Sequence, residues 1–329
     1  MYQATAVYQQ PDLRKAVWQL VNTFVPYVAL WVLMVLAVRR GYSYWITLAL
    51  AVVAAGFLVR IFIFFHDCGH QSFFASRRAN AVLGWICGIL TFTPFDDWSH
   101  GHATHHATAA DLDRRGTGDV WTMTVDEYRS APRGRRLAYR LFRNPFVLLG
   151  LGPIGSFLLS ARFPHKGASR RDTLSVVLTD LAIAALIGVL SATIGLRTYV
   201  LIQLPVILIA GAVGIWLFYV QHQFDGVYWA RHETWNRLDA ALKGSSYYKL
   251  PRLLQWFTGN IGLHHIHHIR PRIPNYNLQR AYDEVPALRT VEPLTLRSSL
   301  RSLRMNLWDE ARQKLVSFRS LGTSAGRVV

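Results

Sequence analysis

Along the 329 residues, long apolar runs alternate with polar stretches dense in charge and histidine. Phe24 to Val38 is the first apolar run, a little short of the roughly 20 residues that cross a bilayer, and the residues before it can extend it. Arg39-Arg40-Gly41 breaks it. Tyr44 to Phe65 supplies the second run, with Arg60 close enough to its exit to snorkel. Leu174 to Leu196 and Tyr199 to Val220 form another pair, joined by a tight turn at Arg197. The pattern predicts four transmembrane helices in two hairpins, spanning about 22–38, 44–65, 174–196 and 199–220. Pro11 to Asn22 mixes charge with Leu13, Val17, Leu20 and Val21 and reads as a short interfacial helix. Ala81 to Phe95 and the Gly- and Pro-broken Pro145 to Leu159 are apolar but too short for a crossing; the first reads as a shallow re-entrant segment. The expected fold is an all-α integral membrane protein, one domain over 1–329, with a cytosolic helical cap from 66–171 and 221–290. In the tail, 291–329, Leu300, Leu303, Leu307, Ala311, Leu315 and Phe318 recur at helical spacing among Arg301, Arg304, Arg312 and Lys314. That predicts a basic amphipathic helix, lying on anionic lipid or packed on the cap.

Composition sharpens this. Half of the residues are hydrophobic and the formal charge is +17. A charge of this size suits nucleic acid or anionic lipid, and the apolar runs decide for lipid. Two hairpins place the N-terminus, the histidine-rich stretches and the tail on one side, which also carries most of the Lys and Arg and is therefore expected to be cytosolic. Arg39, Arg40 and Arg197 run against that bias. Two cysteines, Cys68 and Cys87, are too few for a disulfide framework. Met1 to Gln10 has no basic n-region before an apolar core, so a cleaved signal peptide is not expected.

The candidate chemistry is carried by histidine. Ten of the 13 histidines fall in or beside three clusters: His66 and His70; His102, His105 and His106, with His100 just before; and His264, His265, His267 and His268. In a helix, residues three and four apart share a face, so each cluster converges. A single such pair is often only a polar surface feature. Three clusters on one side, none within a span, point to metal. Eight convergent imidazoles exceed the four ligands of one tetrahedral zinc and suit two ions. Nitrogen ligation is compatible with iron, zinc, copper or nickel. Iron with dioxygen is favoured because the site abuts the bilayer, where the available substrates are unactivated hydrocarbon chains.

The HxxxH, HxxHH and HxxHH boxes, in this order around two membrane hairpins, resemble the membrane fatty-acid desaturase family from the first span to Asn277. Gln221-His222-Gln223-Phe224-Asp225 and Asn275-Tyr276-Asn277 are similar to its bacterial acyl-lipid members, in the methyl-end, Δ12-like branch. The three-residue spacing of the first box also resembles the acyl-lipid branch. The resemblance implies a diiron centre using O2, with His66, His70, His102, His105, His106, His264, His267 and His268 as catalytic ligands. It adds His222 as a ninth metal ligand. Ligating imidazoles donate their other N–H to a carboxylate or carbonyl. The nearest candidates are Asp67, Asp96, Asp97, Asp225 and Asn260, with His100 and His265 also expected just behind the ligands. His165 and His232 are expected on the surface. Asp180, inside an apolar run, is expected as a neutral or hydrogen-bonded residue buried between helices.

The implied reaction inserts a cis double bond into a lipid-linked fatty acyl chain in a bacterial inner membrane. No His-Pro-Gly-Gly segment suggests a fused cytochrome, so a separate electron donor, a ferredoxin or similar carrier, is implied. Close relatives within the superfamily hydroxylate fatty acids or carotenoids instead, which is the alternative outcome. A zinc membrane hydrolase would need no electrons, and a metal transporter would carry its ligands at mid-membrane. Gly150-Leu151-Gly152-Pro153-Ile154-Gly155 matches a dinucleotide fingerprint but lacks a βαβ context and an acidic ribose partner.

Overall fold

The computed structural model describes residues 2–323. Asp12 caps the first helix by accepting from the backbone N–H groups of Arg14 and Lys15, and α1 (Leu13–Arg39) then runs through Pro26. The expected interfacial helix at Pro11–Asn22 is thus the beginning of α1; no Gly or Pro separates the two. A turn with Gly41 at φ +69° leads into α2 (Tyr44–Gly69). The segment read as re-entrant is α3 (Arg77–Leu90), followed by α4 (Phe95–Thr108). These two cross closely because Gly84 lacks a Cβ, which would lie 2.2 Å from the Phe95 ring. After β1 (Met123–Thr124) come α5 (Val125–Ser130) and α6 (Arg133–Phe142). The apolar stretch 147–159 then winds as π-helical turns, and 147–162 is inclined by 71° to α6.

Ser169 and Asp172 form a capping box for α7 (Arg170–Ile194), and Gly195 at φ +88° turns the chain into α8 (Leu196–His222). Among the described residues four helices, α1, α2, α7 and α8, are long and apolar enough to cross a membrane. Both α2 and α8 run past the expected ends of their spans, so His66 and His222 sit on their final turns. The cap is built from short pieces: α9 (Arg237–Leu242), β2 (Tyr247–Lys249), α10 (Arg252–Phe257), α11 (His264–Ile269), α12 (Asn275–Glu284) and β3 (Pro293–Thr295), which pairs with β2 in parallel.

Two local expectations are corrected. Arg60 does not snorkel. It is buried, its Nε donates to Thr23 Oγ1 at 3.0 Å and its Nη1 to the Trp256 carbonyl, and its guanidinium lies 4.1 Å from the Trp256 ring centroid. It joins α1, α2 and α10 from within, where three partners replace water. The tail is not an amphipathic helix either. Leu307 and Leu315 lie in an antiparallel hairpin of β4 (Leu307–Asp309) and β5 (Lys314–Val316), with β4 also pairing in parallel with β1. Gln313 at φ +49° closes the turn, and Trp308, opposite Leu315, is almost fully buried. The helical spacing of the leucines is overridden by the burial that Trp308 gains as a strand residue.

Candidate metal centre

Four elements deliver the histidines. The last turns of α2 and α8 bring His66, with His70 one step beyond, and His222. α4 brings His102, His105 and His106, and α11 brings His264, His267 and His268. Nine rings gather in two groups, each with ligating nitrogens within 4.8 Å of one another: His66, His70, His102, His106 and His267, and then His105, His222, His264 and His268. Within each group Nε2 faces Nε2: His66–His267 at 3.1 Å and His106–His267 at 2.9 Å in the first, His105–His222 at 3.1 Å and His222–His264 at 3.0 Å in the second.

Proton positions make these contacts informative. His105 Nδ1–H donates to Asp119 Oδ1 at 2.7 Å, and His222 Nδ1–H donates to the Gly244 carbonyl at 3.1 Å. A neutral imidazole has one N–H, so in both rings Nε2 is a bare lone pair. Two lone pairs facing each other at 3.1 Å repel unless a cation lies between them. Two nitrogens bound at ~2.1 Å and a right angle apart lie about 3 Å from each other, which is the spacing seen. His70 Nε2 is buried with no hydrogen-bond partner, a cost that a bound ion removes. Burial, then the neighbouring rings, holds His70, His102, His106, His264, His267 and His268 well below the ordinary histidine range, so all present neutral donors. This donor set fits two metal ions.

The fatty acid desaturase profile matches residues 42–297. A fatty acid desaturase of Bacillus subtilis (strain 168) is 50% identical over 316 residues, covering 96% of this chain and 89% of that one. The chain belongs to the fatty acid desaturase family. More distant similarity, 28% over 229 residues, links it to the sn-1 oleoyl-lipid 12-desaturase of Synechocystis sp., covering 68% of this chain and 64% of the relative. An sn-1 acyl-lipid omega-3 desaturase (ferredoxin) of Nostoc sp. is 27% identical over 238 residues, covering 68% and 63%.

Behind the rings of this desaturase, carboxylates and a carbonyl hold the geometry. His66 Nδ1–H donates to Asp67 Oδ1 at 3.2 Å. Asp67 Oδ2 in turn accepts from the Asn275 backbone N–H at 2.7 Å and Asn275 Nδ2 at 2.9 Å, which explains the Asn-Tyr-Asn sequence after the third box. Gln19 Nε2 of α1 donates to Asn275 Oδ1 at 2.9 Å. Asn260 acts one step removed, donating to the Asn275 carbonyl. Three of the expected supports are elsewhere. Asp97 accepts from His165, Asp96 pairs with Arg171, and Asp225 is exposed. His100 turns away to Asp172, because it precedes His102 by only two positions and so lies on another face of α4. His265 is buried in a different direction, its Nε2 on the Leu288 carbonyl, and burial pushes its pKa down to about 4. Asp180 pairs with Arg162. His232 Nδ1–H donates to Asp111.

Asp119 and Gly244 were not expected. Asp119 is held by the Gly116–Asp119 loop, where Gly118 at φ +69° passes so close that a Cβ would lie 3.0 Å from His105 Cβ. That glycine-rich loop was the one signal available. A cavity of about 1000 Å³ opens from the centre, touching His66, His102 and His264 and walled by Leu58, Phe62, Phe157, Ile207, Gly214 and Leu217. The π-helical stretch supplies Leu151 and Gly152 to the same wall.

Proposed function

We propose that this chain is an O2-dependent diiron desaturase that inserts a cis double bond into a lipid-linked fatty acyl chain. The reading is carried by one juxtaposition: nine imidazoles, in two groups, at the inner end of an apolar cavity that runs into the membrane-spanning helices. From Gln221 back to Ile207 the cavity follows α8 for about 21 Å at 1.5 Å per residue, which suits an extended hydrocarbon chain. Its volume is at the upper end of the roughly 300–1,000 Å³ of small-molecule pockets. Phe62, Leu217 and Phe157 offer the chain dispersion contacts and exclude water, and they offer nothing to hydrogen-bond. Trp98, stacked on His102 with centroids 4.3 Å apart, lies where that wall meets the centre.

His66, His70, His102, His106 and His267 would hold one ion, and His105, His222, His264 and His268 the other. Iron there would supply O2 reduction, which takes two hydrogen atoms (together two electrons and two protons) from adjacent methylenes and two electrons and two protons from outside, leaving an alkene and two waters. Asp67, Asp119 and the Gly244 carbonyl keep a proton on Nδ1 of His66, His105 and His222, so that Nε2 stays available. The external electrons are expected from a ferredoxin or similar carrier, in line with the name of the Nostoc relative. The predominance of Lys and Arg on the histidine side supports a cytosolic site in a bacterial inner membrane and docking of an acidic carrier.

Expression in a bacterial host with a compatible donor, beside His105→Ala, tests this through the membrane fatty-acid profile. A new unsaturated species only in the wild type is the expected result. A new oxygenated species would move the reading to a hydroxylase, and equal profiles from both proteins when iron and donor are present would overturn it.

A further inference from the structure

A second set of donor side chains lies outside the nine-histidine centre. His100 is on α4, His165 in the loop before α7 and Asp172 in the first turn of α7, with one ligating atom from each within 4.8 Å of the other two. The two rings meet edge to face, with centroids 5.2 Å apart. One ring is backed by a carboxylate and the other faces one. His165 Nδ1–H donates to Asp97 Oδ1 at 2.7 Å, whereas His100 Nδ1 lies 3.0 Å from Asp172 Oδ2, the spacing of two ligand atoms on one ion. A proton on Nδ1 leaves the His165 Nε2 lone pair open, and no hydrogen bond engages that Nε2 among the described residues. A carboxylate behind a ring, as Asp97 lies behind His165, is the arrangement that orients a metal-ligating histidine.

Charge points the same way. Asp96 and Asp180 are neutralised by Arg171 and Arg162, whereas Asp97 and Asp172 have only histidines as ion-pair partners among the described residues. With neutral rings this small group carries two uncompensated negative charges in a chain of formal charge +17. Asp172 is buried and also fixed by the Ser169 backbone N–H at 2.9 Å, while the His100 side chain is half exposed. An ion can therefore arrive from solvent onto groups already held in place.

We propose that His100, His165 and Asp172 form a separate site for a divalent cation of the zinc class, with Asp97 orienting His165. Two imidazoles and one carboxylate are a zinc-type donor set that leaves a coordination position for water. The site ties α4, the loop ahead of α7 and α7 together. That loop carries Phe163, Pro164 and His165, which line the large cavity together with Asp97 and Thr93. Ion binding here would hold this part of the cavity wall in place.

The test uses the full-length protein, purified with its own metal complement, equilibrated with zinc chloride, desalted and analysed for metal by mass spectrometry. His165→Ala and His100→Ala are each expected to retain one zinc per chain fewer than the wild type, with other metals unchanged. Cobalt(II) in place of zinc should give visible absorption that both variants lose, a readout that a merely loosened loop does not mimic. Zinc retention equal to wild type in either variant overturns the site. Because the result is a difference between chains, it does not depend on which metal fills the nine-histidine centre.

Discussion

The hydrogen bond from His105 to Asp119 offers the sharpest perturbation. It is short, at 2.7 Å, and both side chains are almost inaccessible, at 1% and 5% exposure. Asp119→Ala leaves the His105 Nδ1–H buried without an acceptor, which costs about 1–3 kcal/mol. It also removes the reason for the proton to stay on Nδ1. If the proton moves to Nε2, His105 loses the lone pair that faces His222. Loss of such a support lowers metal affinity or activity by roughly 10–100-fold. Asp119→Asn can still present a carbonyl oxygen, but its amide can equally donate to Nδ1 and favour the wrong tautomer, so it should fall between alanine and wild type. The measurements are metal per chain in the purified protein and the yield of unsaturated product at matched protein level. Asp225→Asn, on an exposed side chain, serves as the control and should behave as wild type. Full metal content and full yield in Asp119→Ala would refute the view that this carboxylate sets the tautomer.

Three other outcomes follow from the same geometry. Asn275→Ala removes one of the two donors to buried Asp67 and should lower iron content and the unfolding midpoint together, at a cost of about 1.5–3 kcal/mol for a hydrogen bond to a charged group; an unchanged midpoint would count against it. Gly214 lines the cavity and a Cβ there meets nothing within 4 Å, so Gly214→Leu should fold and shift product distribution toward shorter chains, read by gas chromatography; an unshifted distribution would mean the chain lies elsewhere. In chelator-stripped protein the buried histidines, held below their ordinary pKa of about 6.5, stay neutral while those of the unfolded chain take up protons. Stability is therefore fully present above about pH 6.5 and declines as pH falls below it, and a flat unfolding midpoint between about pH 8 and about pH 5 would contradict this sign.

Much of the frame could be read from periodicity, because a bilayer permits few solutions to a 20-residue apolar run. The boxes were legible too, since His66 and His70, or His264 and His268, share a face wherever the chain is helical. What sequence did not disclose was the support. Asp119 reaches His105 only through a left-handed Gly118, and Gly244 contributes a carbonyl that every residue possesses. His100 is expected from its place beside the second box to lie just behind the ligands, yet its helical phase sends it to Asp172. The tail misled in the opposite sense. Its leucine spacing is genuinely helical, but Trp308 gains more by pairing beside β1, and pairing across so long a sequence separation leaves no local trace.

The order of the ligands along the chain has a consequence for biosynthesis. The first is residue 66 and the last is residue 268, and the support that holds His66 ends at Asn275. Both hairpins must therefore leave the ribosome and enter the membrane before the centre can close. Until then a nascent chain presents half-built histidine clusters. Metal loading is consequently a late event, and a ribosome that stalls ahead of the third box releases a protein that is inserted in the bilayer but has no complete place for either ion.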